Sequence, residues 1–144
     1  MKIYLAGKMS GLSFEDMFNW RQEIAKKLKQ LAFDFDKPLN VINPVLYYNF
    51  VEKRHQTEIE VEEFDLAHVI SSDVVIVNLD GLNDSIGTII ELHDAHYHHK
   101  IPVIAFGDWQ SYDKLHPWIK NNITRVETNI DDMITYIRDF YLIS

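Results

Sequence analysis

Asp73-Val74-Val75-Ile76-Val77-Asn78-Leu79 is a β-branched run closed by the turn cluster Asp80-Gly81-Leu82-Asn83-Asp84-Ser85. A strand open to water on one face alternates apolar and polar residues. This one does not, so it reads as a central parallel strand covered on both faces. Parallel neighbours need crossover connections, and the flanking segments supply them. Downstream, residues 86–98 read as a helix and residues 101–106 as another buried strand. Upstream, residues 59–70 read as a helix carrying Phe64, Leu66, Ala67 and Ile70. Before it, Asn40-Val41-Ile42-Asn43 is a short strand ended by Pro44.

Further outward, Lys2–Ala6 reads as a buried strand that breaks into Gly7-Lys8-Met9-Ser10-Gly11. Ser13-Phe14-Glu15-Asp16 then opens a helix, with Ser13 as N-cap and an acid three residues on. Phe14, Phe18, Ile24, Leu28 and Leu31 fall near the 3.6-residue period and predict an apolar stripe laid on the sheet. Residues 124–127 read as a short edge strand and residues 130–142 as a closing helix. The alternation predicts right-handed βαβ units: a Rossmann-like (flavodoxin-like) three-layer α/β domain with a parallel sheet of about five strands. Ligands of such sheets lie beyond the carboxyl ends of the strands, at the switch in strand order. The loops after Ala6, Asn43, Leu79 and Phe106 are therefore the places to look.

The 144 residues suit one domain, residues 1–144, with 47% apolar and 25% charged side chains. There is no cysteine, which rules out thiolate chemistry and disulfides and fits a reducing, cytoplasmic setting. No stretch approaches the roughly 20 apolar residues of a membrane span. With 22 acidic against 14 basic side chains, the net charge of -8 repels phosphate polymers, so no nucleic-acid polymer is expected as partner. A single small nucleotide is still compatible with that balance.

Four features carry possible chemistry. The Gly7–Gly11 loop, between a strand and a helix, is either a plain turn or an anion cradle built of free N–H groups. It lacks the dinucleotide and phosphate-loop fingerprints. Glu91 lies among Ile89, Ile90 and Leu92. Helical spacing aligns it with Gly87 and Thr88, the glycine leaving room near the helix start. A carboxylate there is either an exposed residue of an amphipathic helix or a buried one that something pairs with or uses. Asp65 follows Glu58, Glu60, Glu62 and Glu63, and reads by default as part of a solvated acidic face. Should it converge with Glu91 instead, one carboxylate would attack while the other passes a proton. His93, His96, His98 and His99 lack metal-site spacing and read as a polar helix end; no metal is expected.

Three segments together resemble the nucleoside 2-deoxyribosyltransferase superfamily, which includes deoxynucleoside 5'-monophosphate N-glycosidases. They are Ile3-Tyr4-Leu5-Ala6-Gly7, Asp65-Leu66 leading through Ser71-Ser72-Asp73 into the central strand, and Ser85-Ile86-Gly87-Thr88-Ile89-Ile90-Glu91-Leu92. The last is similar to the family signature small-x-Gly-x-Gly-x-Glu-Leu-Gly. The resemblance implies that Glu91 attacks the anomeric carbon, that Asp65 contacts and protonates the leaving base, and that Tyr4 positions the glutamate. It also implies that Ser85, with Lys8 and Ser10, accepts a 5'-phosphate, whereas Asp84 suits a free 5'-hydroxyl. Gly7, Gly11 and Gly87 would complete the substrate site, and no cofactor is implied. Ile89 and His93 stand where the family has glycine and would narrow the cleft beside Glu91. A non-catalytic domain that binds or sequesters a nucleotide-derived small molecule is the alternative. Family members assemble as homo-oligomers, and Trp109, Tyr112, Trp118, Phe140 and Tyr141 offer either aromatic interface or core.

Overall fold

The computed structural model describes residues 1–48 and 51–143. β1 (Lys2–Ala6), β2 (Asn40–Ile42), β3 (Val74–Asn78), β4 (Val103–Phe106) and β5 (Arg125–Glu127) form one sheet in the order β2-β1-β3-β4-β5. All four pairings are parallel, with Tyr4 opposite Ile42 on one side and Val75 on the other. This is the doubly wound flavodoxin-like order, and its switch point lies between β1 and β3.

The period-two geometry of a strand sends alternate residues to opposite layers. Ile3, Leu5, Val74 and Ile76 pack against α1 (Phe14–Asp34) and α6 (Ile130–Ile137). Tyr4, Ala6, Val75 and Val77 pack on the other side with Val69 of α2 (Glu58–Ile70) and Leu92 of α3 (Ile86–His93). β3 is buried on both faces, which is why its sequence carries no alternation. Each such aliphatic side chain contributes about 1.5–3 kcal/mol of burial.

The elements that the sequence predicts are present, together with further short helical pieces, among them α4 (Trp109–Asp113) and α5 (Pro117–Lys120) after β4. Ser13 caps α1 by accepting from the Asp16 N–H at 3.1 Å. The α1 stripe differs from expectation, since Met17, Arg21, Ile24, Ala25, Leu28 and Ala32 are its buried residues. Phe14 is exposed and stacks on Phe18 at 5.1 Å, because the first turn lies beyond the strand ends and has no sheet to cover. α2 differs too. Only Val69 is fully buried, while Phe64, Ala67 and Ile70 face outward. The inward row is Val61, Asp65 and Val69 at i+4 spacing, and it carries an acid. Trp109, Trp118 and Phe140 are exposed, whereas Tyr112 and Tyr141 pack on the core.

Candidate active site

Where the loops after β1 and β3 diverge, a cleft of about 380 Å³ opens at the carboxyl edge of the sheet. Gly7, Met9 and Ser10 form one wall; Asp84, Ser85 and Gly87 form another; Tyr48, Glu58 and Asp65 close it from the α2 side. Glu91 lies at its base. A narrower passage of about 210 Å³ between α2 and α3 reaches the same two carboxylates, lined in part by Val61, Leu66 and Ile90.

α3 sets the position of Glu91. Thr88 and Leu92, four apart, are buried toward the sheet, so Gly87 and Glu91, also four apart, turn to the cleft. A Cβ added at Gly87 would meet nothing within 4 Å, so the glycine leaves open space directly above the carboxylate. The Tyr4 hydroxyl lies beside the Glu91 carboxyl and favours its charged form, while Oε2 of Glu91 is sealed from solvent and has no hydrogen-bond partner among the described residues. Burial pushes the Glu91 carboxyl up from 4.5 to about 7; Tyr4 opposes the rise, the Asp65 charge adds to it, and Arg21 opposes it. Tyr4 is buried and its hydroxyl is held far above its ordinary range, first by burial and then by the Glu91 charge. It stays a neutral donor.

Asp65 is half-buried and also raised, chiefly by burial. The Tyr48 hydroxyl donates to its Oδ1, and that bond together with His68 and Arg21 partly offsets the rise. Two carboxyls thus line one cleft, both pushed toward the protonated form, each beside a tyrosine. Such a pair titrates as a unit and can divide into a nucleophile and a proton donor.

Ser85 is the residue before α3, and its hydroxyl does not cap the helix; it bonds the Thr88 hydroxyl at 2.7 Å. The first intrahelical bond runs from the Ile89 N–H to the Ser85 carbonyl, so the earlier N–H groups of α3 point out of the helix at the cleft wall. Gly7 is a necessity of packing. A Cβ there would lie 2.6 Å from Trp20 Cζ2 and 3.3 Å from Arg21 Nη2. Gly7→Ala is expected to cost about 1–3 kcal/mol through this overpacking. A lowered thermal midpoint, accompanied by weakened ligand-induced stabilisation, is the measurement that checks it.

Two residues expected at the site stand apart from the cleft wall. Lys8 runs across Gly81, with its Cδ 2.7 Å from where a Cβ would be, because Gly81 takes a left-handed φ of 66° and offers no side chain. Gly11, at φ 77°, serves the turn that leads into α1. Ile89 and His93 do not narrow the cleft. Ile89 packs on the core beneath α3, and His93 stacks on Tyr97 at 5.1 Å on the outer surface. Sequence reasoning missed Tyr48, Glu58 and Arg21. Tyr48 lies on the loop after β2, one of the four places marked by the strand order, and Arg21 is a cation on an apolar stripe.

No family model matches the chain, and no curated protein does. Among solved structures, a 2-deoxyribosyltransferase from Bacillus psychrosaccharolyticus, described as a biocatalyst for the synthesis of nucleosides, superposes with a TM-score of 0.64. The fold is shared with that enzyme. Identity is 21%, with 94% of this chain and 92% of that chain covered. A conserved protein from Enterococcus faecalis V583 superposes at a TM-score of 0.77 and 17% identity, covering 96% of this chain and 98% of that chain.

Proposed function

We propose that the protein cleaves or exchanges the N-glycosidic bond of a (deoxy)nucleoside or its 5'-monophosphate through a covalent glycosyl-Glu91 intermediate. The observation that carries this reading is the convergence of Glu91 and Asp65 in one cleft. The ionised Glu91 attacks the anomeric carbon. The bond to the base nitrogen breaks, its electron pair stays with the base, and Asp65 or water supplies the proton. Water then attacks the anomeric carbon and gives up a proton to Asp65 or solvent, restoring the Glu91 carboxylate and releasing the sugar; a second base entering instead makes the reaction a transfer. Retaining glycosidases divide one difficult displacement into two easier ones in the same way.

The 5' end is assigned to the start of α3. The Ser85 hydroxyl, unspent on capping, and the N–H groups of the first turn favour a phosphate there. Asp84 on the same wall accommodates a free hydroxyl. The test is to incubate the protein with a panel of nucleosides and 5'-monophosphates and follow free base by chromatography. Base release that Glu91→Gln abolishes supports the reading; absence of release across the panel retires it.

The pH dependence follows from the titration of Glu91. A nucleophile must be ionised, so kcat/KM is expected to fall as pH drops below about 7, tenfold per unit once well below it. An acid limb at the ordinary carboxylate range, near 4.5, would contradict a buried Glu91 nucleophile.

We also propose a homo-oligomer. Ile59, Phe64, Ile70, Ile86 and Ile90 are exposed on α2 and α3, and Ile90 lines the outer passage to the carboxylates. Apolar area of that kind is characteristic of surfaces covered by a partner. Light scattering is expected to give at least a dimer, and Phe64→Glu with Ile90→Glu to shift it to monomer.

A further inference from the structure

Arg21 is fully buried. It comes from α1, in the layer opposite α2 and α3, yet its guanidinium ends at the carboxyl end of β1. Nε donates to the Leu5 carbonyl at 3.3 Å, Nη2 to the Gly7 carbonyl at 2.9 Å and Nη1 to the Met17 carbonyl at 2.6 Å. All three are neutral acceptors. The position belongs to the stripe of Met17, Ile24, Ala25 and Leu28, where an aliphatic side chain would pack at no electrostatic cost. A buried cation bonded only to carbonyls is destabilising unless nearby anions offset it, and burial accordingly lowers the Arg21 guanidinium to about 10. The charges that favour its cationic form are the Glu91 and Asp65 carboxylates.

We propose that Arg21 is a positioning residue of the glycosyl-transfer site: it locks the Gly7 peptide that shapes the cleft wall and holds a positive charge behind Glu91. The proposal rests on the reading of Glu91 as nucleophile. Two geometrical facts support the first half. The peptide after Gly7 is trans, so its N–H points opposite to the carbonyl that Arg21 binds, away from the guanidinium, and Gly7, Met9 and Ser10 of the same loop line the cleft. Trp20 clamps the arrangement, its ring centroid 4.3 Å from Arg21 Cζ and its edge directly under Gly7. The second half follows from the charges that face Glu91. β1 contributes Tyr4, α2 contributes Asp65 and α1 contributes Arg21; Tyr48 acts on the pair through Asp65. Asp65 opposes ionisation of Glu91, and Arg21 is the cation among them. Without it, Glu91 would lose the cation that favours its ionisation.

The test measures Glu91 directly, with and without turnover. Carboxyl carbons are observed by NMR across pH in protein labelled at glutamate, and Glu91 is assigned by the resonance missing from Glu91→Gln. Arg21→Met is expected to raise the Glu91 midpoint by about one pH unit, to move the acid limb of kcat/KM upward by the same amount, and to lower the rate at neutral pH about tenfold. Arg21→Lys keeps the charge with fewer donors and is expected to restore the midpoint but not the loop, so that KM stays raised. A folded Arg21→Met whose Glu91 midpoint matches wild type overturns the proposal, because a purely structural arginine changes stability alone. If Arg21→Met fails to fold, Arg21→Gln, uncharged but able to donate to a carbonyl, takes its place with the same expected midpoint. A wild type that releases no base while the midpoint still moves would support the hold of Arg21 on Glu91 and retire the glycosyl-transfer reading on its own.

Discussion

Glu91→Gln is expected to abolish base release, lowering kcat at pH 8 by about 10³-fold or more, or roughly 4 kcal/mol of transition-state stabilisation. The amide keeps the shape of the side chain and an acceptor oxygen beside the Tyr4 hydroxyl, but has no charge with which to attack a carbon. Stability should move in the opposite direction. In the folded protein the Glu91 carboxyl ionises at about 7, against 4.5 for the free side chain, so the folded state holds its proton over a range where the unfolded chain has lost it. The resulting stabilisation is full below pH 4.5 and is lost as pH rises through 7. Above that, the displacement corresponds to on the order of 3 kcal/mol of destabilisation that glutamine does not suffer. The variant's thermal midpoint should therefore exceed that of wild type at pH 8, with the gap shrinking toward pH 5. An inactive variant that is equally or less stable at pH 8 would mean that the buried carboxylate carries no such penalty.

The second large effect is expected at Asp65. Asp65→Asn removes the acid while keeping an acceptor for the Tyr48 hydroxyl, and should lower kcat about 10²-fold or more on natural bases. The loss depends on the leaving group. A base that departs without protonation needs no help, so a substrate with an activated leaving group should recover most of the rate. That pattern separates proton donation from simple damage to the cleft, which would slow all substrates alike. Steady-state rates for wild type and variant across a series of leaving groups supply the measurement. Equal losses along the series would remove Asp65 from the chemistry. The variant should also ease the ionisation of Glu91, since the Asp65 charge is one of the influences that raises it. The acid limb then moves downward, opposite in sign to the effect expected of Arg21→Met.

Much of the fold was legible because the physics is local. An unbroken β-branched run can only be covered on both faces, and Ser13 marks the start of α1 through a bond that reaches three residues. The place of the cleft was legible as well, since strand order puts it beyond β1 and β3 and the glycines of that region are visible in the chain. Glu91 could be singled out as an acid among isoleucines and leucine.

What the chain could not show is which of two helical faces turns inward. Asp65 lies in a run of acids whose plain reading is a solvated face, and only the packing of Val69 against the sheet rotates it into the cleft. Phe64 and Ile70, which look like core, are left outside by the same rotation. Lys8 reads as a phosphate ligand until its stem is seen lying over Gly81, 73 positions away in the chain. Tyr48 and Arg21 reach the site from a short loop and from the opposite layer. Periodicity reports that a helix has an apolar side, but the choice between nearly equivalent sides is made by long-range contacts, and so is the environment that sets each carboxyl's charge. The sequence determined the architecture and the location of the cleft; the tertiary structure decided which polar side chains meet there and in what state of ionisation.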